Sequence, residues 1–201
     1  MKILVIDSSN KKFYCQLIEE GVLLENVVKQ GIEHSRTLNV TVQEVLDKRQ
    51  IKLKDIDVFA LSVGTGSFTG IRIGIAAVKG FLTALPQKKA LSVNSLQVLA
   101  YTTMEKNLCL MEAGRGFYYC ACYQGLDEII PPCLITGEEA QKLLAKGALL
   151  FEESADYSKQ LFALVCDKVK AGEYAQKLTP IYLRQPQAVE QLNANDRKAF
   201  L

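Results

Sequence analysis

Residues 64–74 read GTGSFTGIRIG, and this glycine-rich segment constrains the fold more than any other part of the chain. The residues before it, 58–63, form a mainly apolar run that predicts a buried strand, and the apolar residues after it recur at helical spacing. Gly64, Gly66 and Gly70 permit backbone conformations and close approaches that side chains exclude. The segment therefore predicts a tight connection from a buried strand into a helix, which is typical of α/β proteins.

One function for such a turn is anion binding, because a helix that begins there presents backbone N–H groups. Gly64, Gly66 and Ser67 are therefore a candidate anion-binding turn. Known phosphate loops differ from it: a Walker loop ends in Gly-Lys-Ser/Thr, whereas Gly70 is followed by Ile71-Arg72. The dinucleotide fingerprint follows the first strand of its fold, whereas this turn follows the fourth predicted strand.

The helix that follows the turn carries small residues along one face. Gly70, Gly74 and Ala77 are spaced i, i+4 and i+7, which lets another element approach closely. A glycine inside a helix costs about 1 kcal/mol relative to alanine, and close packing would offset that cost. The face therefore indicates either internal packing or a subunit interface, and we take Gly70, Arg72, Gly74 and Ala77 as candidate partner-binding residues.

Strand and helix patterns alternate along the rest of the chain, whose 201 residues suffice for one large domain or two small lobes. The order up to residue 105 is predicted as β-β-β-α-β-α-β. A second half begins at residue 108 with a strand, an acidic residue, a turn and a returning strand, as the first half does. We therefore expect lobes of residues 1–105 and 106–201. Candidate helix N-caps are Ser35, either Ser67 or Thr69, and Thr136.

The composition limits the classes of partner and compartment. The 24 basic and 22 acidic residues give a net charge of +2, so a nucleic acid would be held largely by a partner protein. We expect no membrane span, because no stretch reaches the roughly 20 apolar residues that a membrane helix needs. Six cysteines without a visible export signal predict a cytoplasmic protein with reduced thiols.

Residues that could carry out chemistry are few. Asp7 and Glu112 end the leading strands of the two halves and are candidate cleft acids, although a solvated strand end or a cap is the favoured interpretation. The turn at residues 8–12 has no glycine that would admit phosphates. His34 is the one histidine, so a site of several imidazoles is excluded. We predict no catalytic residue, no metal and no cofactor.

Three cysteines of the second half, Cys109, Cys120 and Cys122, lie on the predicted hairpin. Their CxC spacing with a distant third member differs from the paired ligands of zinc sites, so buried strand cysteines are favoured. Arg115 could bind an anion or a partner, but an exposed ion pair is the simpler interpretation.

Five segments together resemble the TsaB (YeaZ) family of bacterial threonylcarbamoyladenosine biosynthesis proteins. The resemblance extends along most of the chain, and GSFTG followed by Arg72 and Gly74 is its most specific part. The segments are ILVIDSS at 3–9, EHSRTL at 33–38, GTGSFTGIRIG at 64–74, EAGRGFYY at 112–119 and PIYLR at 180–184.

The resemblance implies an actin-like, Hsp70-like (ASKHA, RNase H-like) fold of two lobes, with a mixed five-stranded sheet and helices in each lobe. It implies a non-catalytic scaffold for the modification of the adenosine beside the tRNA anticodon. The expected partners are a catalytic TsaD-like paralogue in a heterodimer, a TsaE-like ATPase, tRNA indirectly, and a second copy when the chain is alone. The alternative is a stand-alone small-molecule kinase or ATPase of the same fold.

Two positions depart from the family pattern. The family usually has proline where this chain has Thr65. The leading strand of the second lobe usually ends in Asp-Ala-Arg, where this chain has Glu112-Ala113-Gly114 and Arg115 is displaced by one position.

Overall fold

The computed structural model describes residues 1–31, 33–103 and 105–184, in which two β-sheets carry the helices. The strands of the first sheet are β1 (Lys2–Asp7), β2 (Lys12–Glu19), β3 (Val22–Gln30), β4 (Val58–Ser62) and β5 (Lys89–Val93). They lie in the order β3-β2-β1-β4-β5, with β1, β2 and β3 antiparallel and β4 and β5 parallel to β1. The expected mixed sheet of five strands is confirmed.

The centre of this sheet is apolar on both faces. Successive residues of a strand point to opposite faces, and in β1 Ile3 and Val5 belong to one core cluster whereas Leu4 and Ile6 belong to the other. β4 alternates in the same way and is buried throughout. Continuous apolar runs are what strands covered on both faces require.

Helices cover both faces. The described residues form five α-helices: α1 (His34–Lys48), α2 (Phe68–Ala84), α3 (Ser95–Ala100), α4 (Gly137–Leu144) and α5 (Ser158–Lys170). α1 and α2 bury their apolar residues in the core beneath one face, and α3 and α5 fill the core on the other face. Among the described residues, no helix has the length and hydropathy needed to cross a membrane.

The second sheet contains β6 (Lys106–Gly114), β7 (Phe117–Gln124), β8 (Asp127–Thr136) and β9 (Leu149–Leu150). Its order is β8-β7-β6-β9, with β6, β7 and β8 antiparallel and β9 parallel to β6. β8 is an edge strand with Pro131-Pro132 at a break in its register with β7. Two apolar residues of this edge, Ile129 and Ile130, are exposed.

The described chain after β9 returns to the first sheet. α5 packs against α3 and β5, Ala175 forms a bridge with Ala90, and the N–H of Ile181 donates to the carbonyl of Val63 at 2.9 Å. The two sheets lie on either side of the predicted boundary at residues 105 and 106, which stays a prediction as a division into lobes. Residues 185–201 of the predicted second lobe lie outside the described residues.

Two of the three predicted N-caps are confirmed. Ser67 and Thr136 precede α2 and α4, and each side chain accepts a backbone N–H of the first turn. The prediction for Ser35 is wrong, because α1 begins at His34 and the N-cap position is Glu33, two residues before Ser35. The hydroxyl of Ser35 instead donates to the Glu33 carboxylate at 3.1 Å.

Candidate functional site

The end of β1 holds a buried polar network around Asp7. One carboxylate oxygen, Oδ1, accepts the N–H of Ser9 at 2.8 Å and its hydroxyl at 2.6 Å. The Ser9 hydroxyl also lies 2.9 Å from that of Ser95 and accepts a hydrogen bond from Ser62 at 3.1 Å. Burial raises the pKa of Asp7, and the hydrogen bonds from Ser9 oppose this rise. Asp7 is therefore a cap for Ser9, but it is buried rather than solvated.

The space beside the Asp7 carboxyl is very small. It is a cavity of about 10 Å³, enough for about one water molecule. Aromatic rings close it, and those of Phe151 and Tyr157 stack with their centroids 4.6 Å apart. Ligand pockets in proteins occupy about 300–1,000 Å³. Among the described residues, this cavity beside the Asp7 carboxyl is far smaller than a nucleotide site. The cavity is lined by Asp7, Asn10, Tyr14, Ser95, Val98, Phe151, Tyr157 and Leu161.

The glycine turn packs directly on the turn that follows Asp7. A Cβ on Gly66 would lie 2.2 Å from the carbonyl oxygen of Ser9, and one on Gly70 would lie 1.9 Å from that of Ser8. The N–H of Ser67 donates to the Ser9 carbonyl at 2.6 Å, and the Ser8 hydroxyl donates to the Gly70 carbonyl at 2.8 Å. The glycines are therefore required by contact of one backbone with another.

The three candidate anion-binding residues have different surroundings. Gly64 and Gly66 adopt positive φ angles of 119° and 146°, which favour glycine. Gly64 is buried, and its carbonyl accepts the N–H of Ser95 at 2.8 Å. Ser67 is exposed and caps α2, while its own N–H is bound to the Ser9 carbonyl. Anion binding by this turn stays a prediction, although two of its backbone groups already have partners within the chain.

Ser67 also lines an open cleft of about 320 Å³ between the starts of α1 and α2. His34, the first residue of α1, lies in its wall, and the ring N–H at Nε2 donates to the Asn10 carbonyl at 2.8 Å. This bond links the EHSRTL segment to the turn after β1. The other lining residues are Asn10, Lys11, Gln30 and Gly31.

The four candidate partner-binding residues divide between the inside and the outside of α2. Gly70 and Gly74 are buried, and a Cβ on Gly74 would lie 2.7 Å from Ser8 Oγ and 2.8 Å from Leu61 Cδ1. Internal packing, one of the two alternatives drawn from the sequence, is what the structure has at these two glycines. Arg72 is exposed and Ala77 is half-buried. Partner contact by this set stays a prediction.

The PIYLR segment joins the outer side of α2 to the second sheet. The Arg72 guanidinium lies 3.8 Å from the ring centre of Phe68, and its Nε donates to the Tyr182 hydroxyl at 2.9 Å. Tyr182 stacks on Phe68 with centroids 4.5 Å apart. Arg184 then donates to the carbonyls of Ala113 and Gly114, the last two residues of β6. The segment at 112–119 is therefore linked to the glycine turn through the PIYLR segment.

The other candidate residues have ordinary surroundings. Glu112 is exposed on β6, and Arg115 is exposed in the turn that follows with φ of 55°. Cys109, Cys120 and Cys122 are buried, and burial raises the pKa of Cys109 to about 12 and that of Cys120 to about 11. In the described ranges, no three or more His, Cys, Asp or Glu side chains form a group that could hold a metal ion.

Sequence comparison relates the chain to proteins of tRNA modification. Residues 22–199 match the family model described as TsaD, tRNA N6-adenosine threonylcarbamoyltransferase. The tRNA threonylcarbamoyladenosine biosynthesis protein TsaB of Escherichia coli is 31% identical over 129 residues, which are 62% of this chain and 55% of that protein. The TsaB protein of Bacillus subtilis is 28% identical over 139 residues, covering 65% of this chain and 60% of its own. The chain thus spans little more than half the length of these two relatives.

Structural comparison supports the same relationship at the level of the fold. The solved structure of YeaZ from Pseudomonas aeruginosa superposes with a TM-score of 0.76 and 23% sequence identity. The superposition covers 90% of this chain and 99% of that one. The expected two-lobe α/β architecture of the actin-like, Hsp70-like type is therefore confirmed.

Proposed function

The chain belongs to the TsaB (YeaZ) family, within the wider group of proteins that the TsaD family model covers, and we propose that it acts in the biosynthesis of threonylcarbamoyladenosine in tRNA. Its role in this proposal is that of a non-catalytic scaffold. It binds a TsaD-like subunit that carries out the transfer, and a TsaE-like ATPase joins the pair. Its place of action is the cytoplasm.

The observation that carries the scaffold role is the closed space beside Asp7. An enzyme of the actin-like fold that uses ATP needs room for phosphates after the first strand. Here the backbone of Gly66 and Gly70 lies against the carbonyls of Ser8 and Ser9, and a cavity of about 10 Å³ adjoins the carboxyl. This packing supports a structural role for the first lobe and leaves the chemistry to the partner.

The outer side of α2 is the surface that we propose for the TsaD-like partner. Arg72, Ala76 and Gly80 are exposed there at intervals of four residues. A Cβ on Gly80 would meet nothing within 4 Å, so packing among the described residues does not require glycine at that position. Glycine there still costs about 1 kcal/mol relative to alanine, and close approach of a partner would offset that cost. This surface replaces the buried Gly70 and Gly74 as the point of direct contact.

Co-purification with the TsaD-like partner tests the surface. Ala76→Arg places a long charged side chain on the proposed interface and leaves the buried side of α2 unchanged. Ala145→Arg makes the same change at an exposed position after α4. We expect Ala76→Arg to abolish co-purification and Ala145→Arg to preserve it. Equal recovery of the partner with both variants would exclude this face as the interface.

The same pair of variants tests self-association. If the free protein dimerises through the outer side of α2, Ala76→Arg should sediment as a monomer and Ala145→Arg should sediment as the wild-type protein does. Dimers of unchanged stability in both variants would place self-association on another surface.

Reconstitution of tRNA modification tests the function itself. Modification by the TsaD-like and TsaE-like subunits should depend on addition of this chain, and an Asp7→Asn variant should support it as well as the wild-type protein does. Calorimetry of the isolated chain with ATP and magnesium tests the kinase or ATPase alternative. Micromolar ATP binding with turnover that Asp7→Asn abolishes would overturn the scaffold role.

A further inference from the structure

A second open cleft is lined by described residues outside the five family segments. It has a volume of about 430 Å³ and is bounded by the last turns of α2, the start of β5 and residues 174–178. The bridge between Ala175 and Ala90 holds the two sides of the cleft together. Its lining residues are Lys79, Leu82, Pro86, Lys88, Lys89, Ala90, Tyr174, Ala175, Gln176, Lys177 and Leu178.

The charge of this cleft sets it apart from the rest of the chain. Of the residues that the structure describes, four lysines and no acidic residue line it, although the whole chain has 24 basic and 22 acidic residues. Lys88 pairs with Asp57 at 3.4 Å, and Lys89 Nζ lies 4.1 Å from the ring centre of Tyr174. Within the described ranges, Lys79 and Lys177 have no ion-pair partner. The cleft is therefore strongly positive, although the net charge of the whole chain is only +2.

The form of the cleft favours an extended polyanion over a small one. Specific sites for small ligands enclose them and orient them with a few fixed polar groups. Here the cleft is open, and Lys79, Lys89 and Lys177 are exposed flexible side chains on its rim. Lysines of this kind neutralise successive phosphates of a nucleic-acid backbone without fixed geometry. Lysine is also depleted at protein–protein interfaces, which disfavours an ordinary protein partner.

We propose that this cleft binds the phosphate backbone of tRNA. The choice of tRNA as the polyanion rests on the proposed function, whereas the lysine-lined cleft stands independently of it. The chain then contributes its own contact to the substrate, in place of the purely indirect contact expected from its net charge.

Binding of fluorescently labelled tRNA to the full chain tests the proposal. The variant Lys79→Gln/Lys89→Gln/Lys177→Gln removes three positive charges from the cleft and retains the Lys88–Asp57 pair. The control Lys106→Gln/Lys142→Gln/Lys146→Gln removes three charges from exposed positions of the second half. Fluorescence anisotropy at several salt concentrations between about 50 and about 200 mM gives both the affinity and its salt dependence.

In the cleft variant we expect tRNA affinity at low salt to fall by about tenfold or more. The negative slope of log affinity against log salt should become shallower by about 1 for each lysine removed. The control should lose much less affinity and keep its slope. Equal losses in both variants, or an unchanged slope in the cleft variant, would overturn the proposal. Thermal unfolding of both variants verifies that they are folded.

Competition with other anions for labelled tRNA distinguishes the possible ligands of the cleft. Competitors are compared at equal total concentrations of negative charge. Poly-uridylate should displace the labelled tRNA at a lower such concentration than inorganic phosphate, ATP or poly-glutamate does. If ATP or inorganic phosphate displaces tRNA first, the cleft is a small-anion site, and if poly-glutamate does, it binds an acidic protein segment. Either result overturns the proposal.

Reconstituted modification separates this proposal from the proposed function. If wild-type protein supports modification and the cleft variant leaves the KM for tRNA unchanged, the cleft proposal fails and the function stands. If the chain has no effect on modification while its tRNA binding requires the three lysines, the function fails and the cleft site stands.

Discussion

The hydroxyl of Thr65 donates a hydrogen bond to the sulfur of Met111 at 3.6 Å, and both residues are buried. Thr65 belongs to the glycine turn of the first half of the chain, whereas Met111 belongs to β6 in the second sheet. The position where the family usually has proline is thus a polar contact between the two halves. Sulfur is a weak acceptor, so the bond adds little free energy and mainly satisfies a buried hydroxyl.

A double-mutant cycle at these residues measures the contact. Met111→Leu keeps the side-chain volume but leaves the Thr65 hydroxyl without its acceptor, which we expect to cost about 1–2 kcal/mol of unfolding free energy. Thr65→Val removes the hydroxyl and should make Met111→Leu nearly neutral in the double variant. Urea denaturation of the four proteins gives the coupling energy. Additive effects of the two changes would show that the hydrogen bond is energetically silent.

The glycines of α2 should differ in stability when each is changed to alanine. Gly80→Ala adds a methyl group in open space and should stabilise the protein by about 0.5–1 kcal/mol through helix propensity. Gly70→Ala places Cβ 1.9 Å from a backbone oxygen and should destabilise it by about 3 kcal/mol or more. Gly74→Ala meets two side-chain ends that can shift, so an intermediate loss of about 1–2 kcal/mol is expected.

Urea denaturation of the three variants measures this order. Gly80→Ala is the matched control, because it makes the same chemical change in the same helix. A Gly70→Ala protein as stable as Gly80→Ala would contradict the close packing of α2 on the turn after β1.

Asp7 should make stability fall as the pH rises above about 4. Burial raises its folded-state pKa, so the folded carboxyl keeps its proton while the unfolded one ionises. Asp7→Asn removes this titration and can still accept both hydrogen bonds from Ser9. The unfolding free energy of Asp7→Asn relative to wild type should therefore increase as the pH rises above about 4. A difference that is constant with pH would contradict a raised pKa.

Glu25 provides the opposite case for the same measurement. Its carboxylate pairs with Lys48 and Arg49, each at 2.6 Å, and the hydrogen bond from Lys48 contributes most to the lowering of its pKa. The stability it contributes is present above the ordinary carboxyl pKa and is lost as the pH falls through the lowered value. Glu25→Gln should be less stable than wild type at neutral pH, and the difference should shrink in acid.

The cysteines should be largely unreactive in the folded protein. Five of the six are buried and Cys133 is half-buried, while burial raises the pKa of Cys15 to about 12. Because the thiolate is the reactive form, maleimide should label Cys133 first and the others only on unfolding. Mass spectrometry should find at most one rapid adduct in native buffer and six in denaturant. Rapid native labelling of Cys109 or Cys120 would contradict the buried hairpin.

The first sheet could be predicted closely from the sequence because its signals are local. Continuous apolar runs mark β1 and β4, and the run predicted at 58–63 extends one residue beyond the end of β4. Ser67 could be predicted as a cap because it directly precedes a helical pattern. Ser35 has the same chemistry, but Glu33 takes the cap position, and sequence alone does not rank neighbouring candidates.

The sequence pattern does not predict β8, since Pro131-Pro132 argues against a strand. Proline is tolerated at a sheet edge or at a bulge, and β8 has both features. Whether a stretch of sequence forms an edge strand depends on the order of all the strands in the sheet. A local sequence pattern does not give that order. The sequence also does not predict that α5 packs on the first sheet. The apolar face of this helix could pack equally well against either sheet.

The candidate site was only half predictable. The glycine turn was recognisable, but its contact with Ser8 and Ser9 joins residues more than fifty positions apart. The buried serines at 9, 62 and 95 also meet only through the fold, although Ser62 inside an apolar strand was a signal that a polar partner is needed. Tyr182 has no signal beyond its place in the PIYLR segment, because its contact with Arg72 spans 110 residues.

The proline pair of β8 bears on how the protein behaves at high concentration. An exposed edge strand with Ile129 and Ile130 would normally be a template on which strands of other copies add and aggregate. Successive N–H groups of a strand point to opposite sides, so one of the two adjacent prolines removes a donor toward β7 and the other removes one toward the open edge. The interruption in the outer ladder makes intermolecular strand addition unfavourable. It protects the apolar edge that β8 exposes in the described part of the chain.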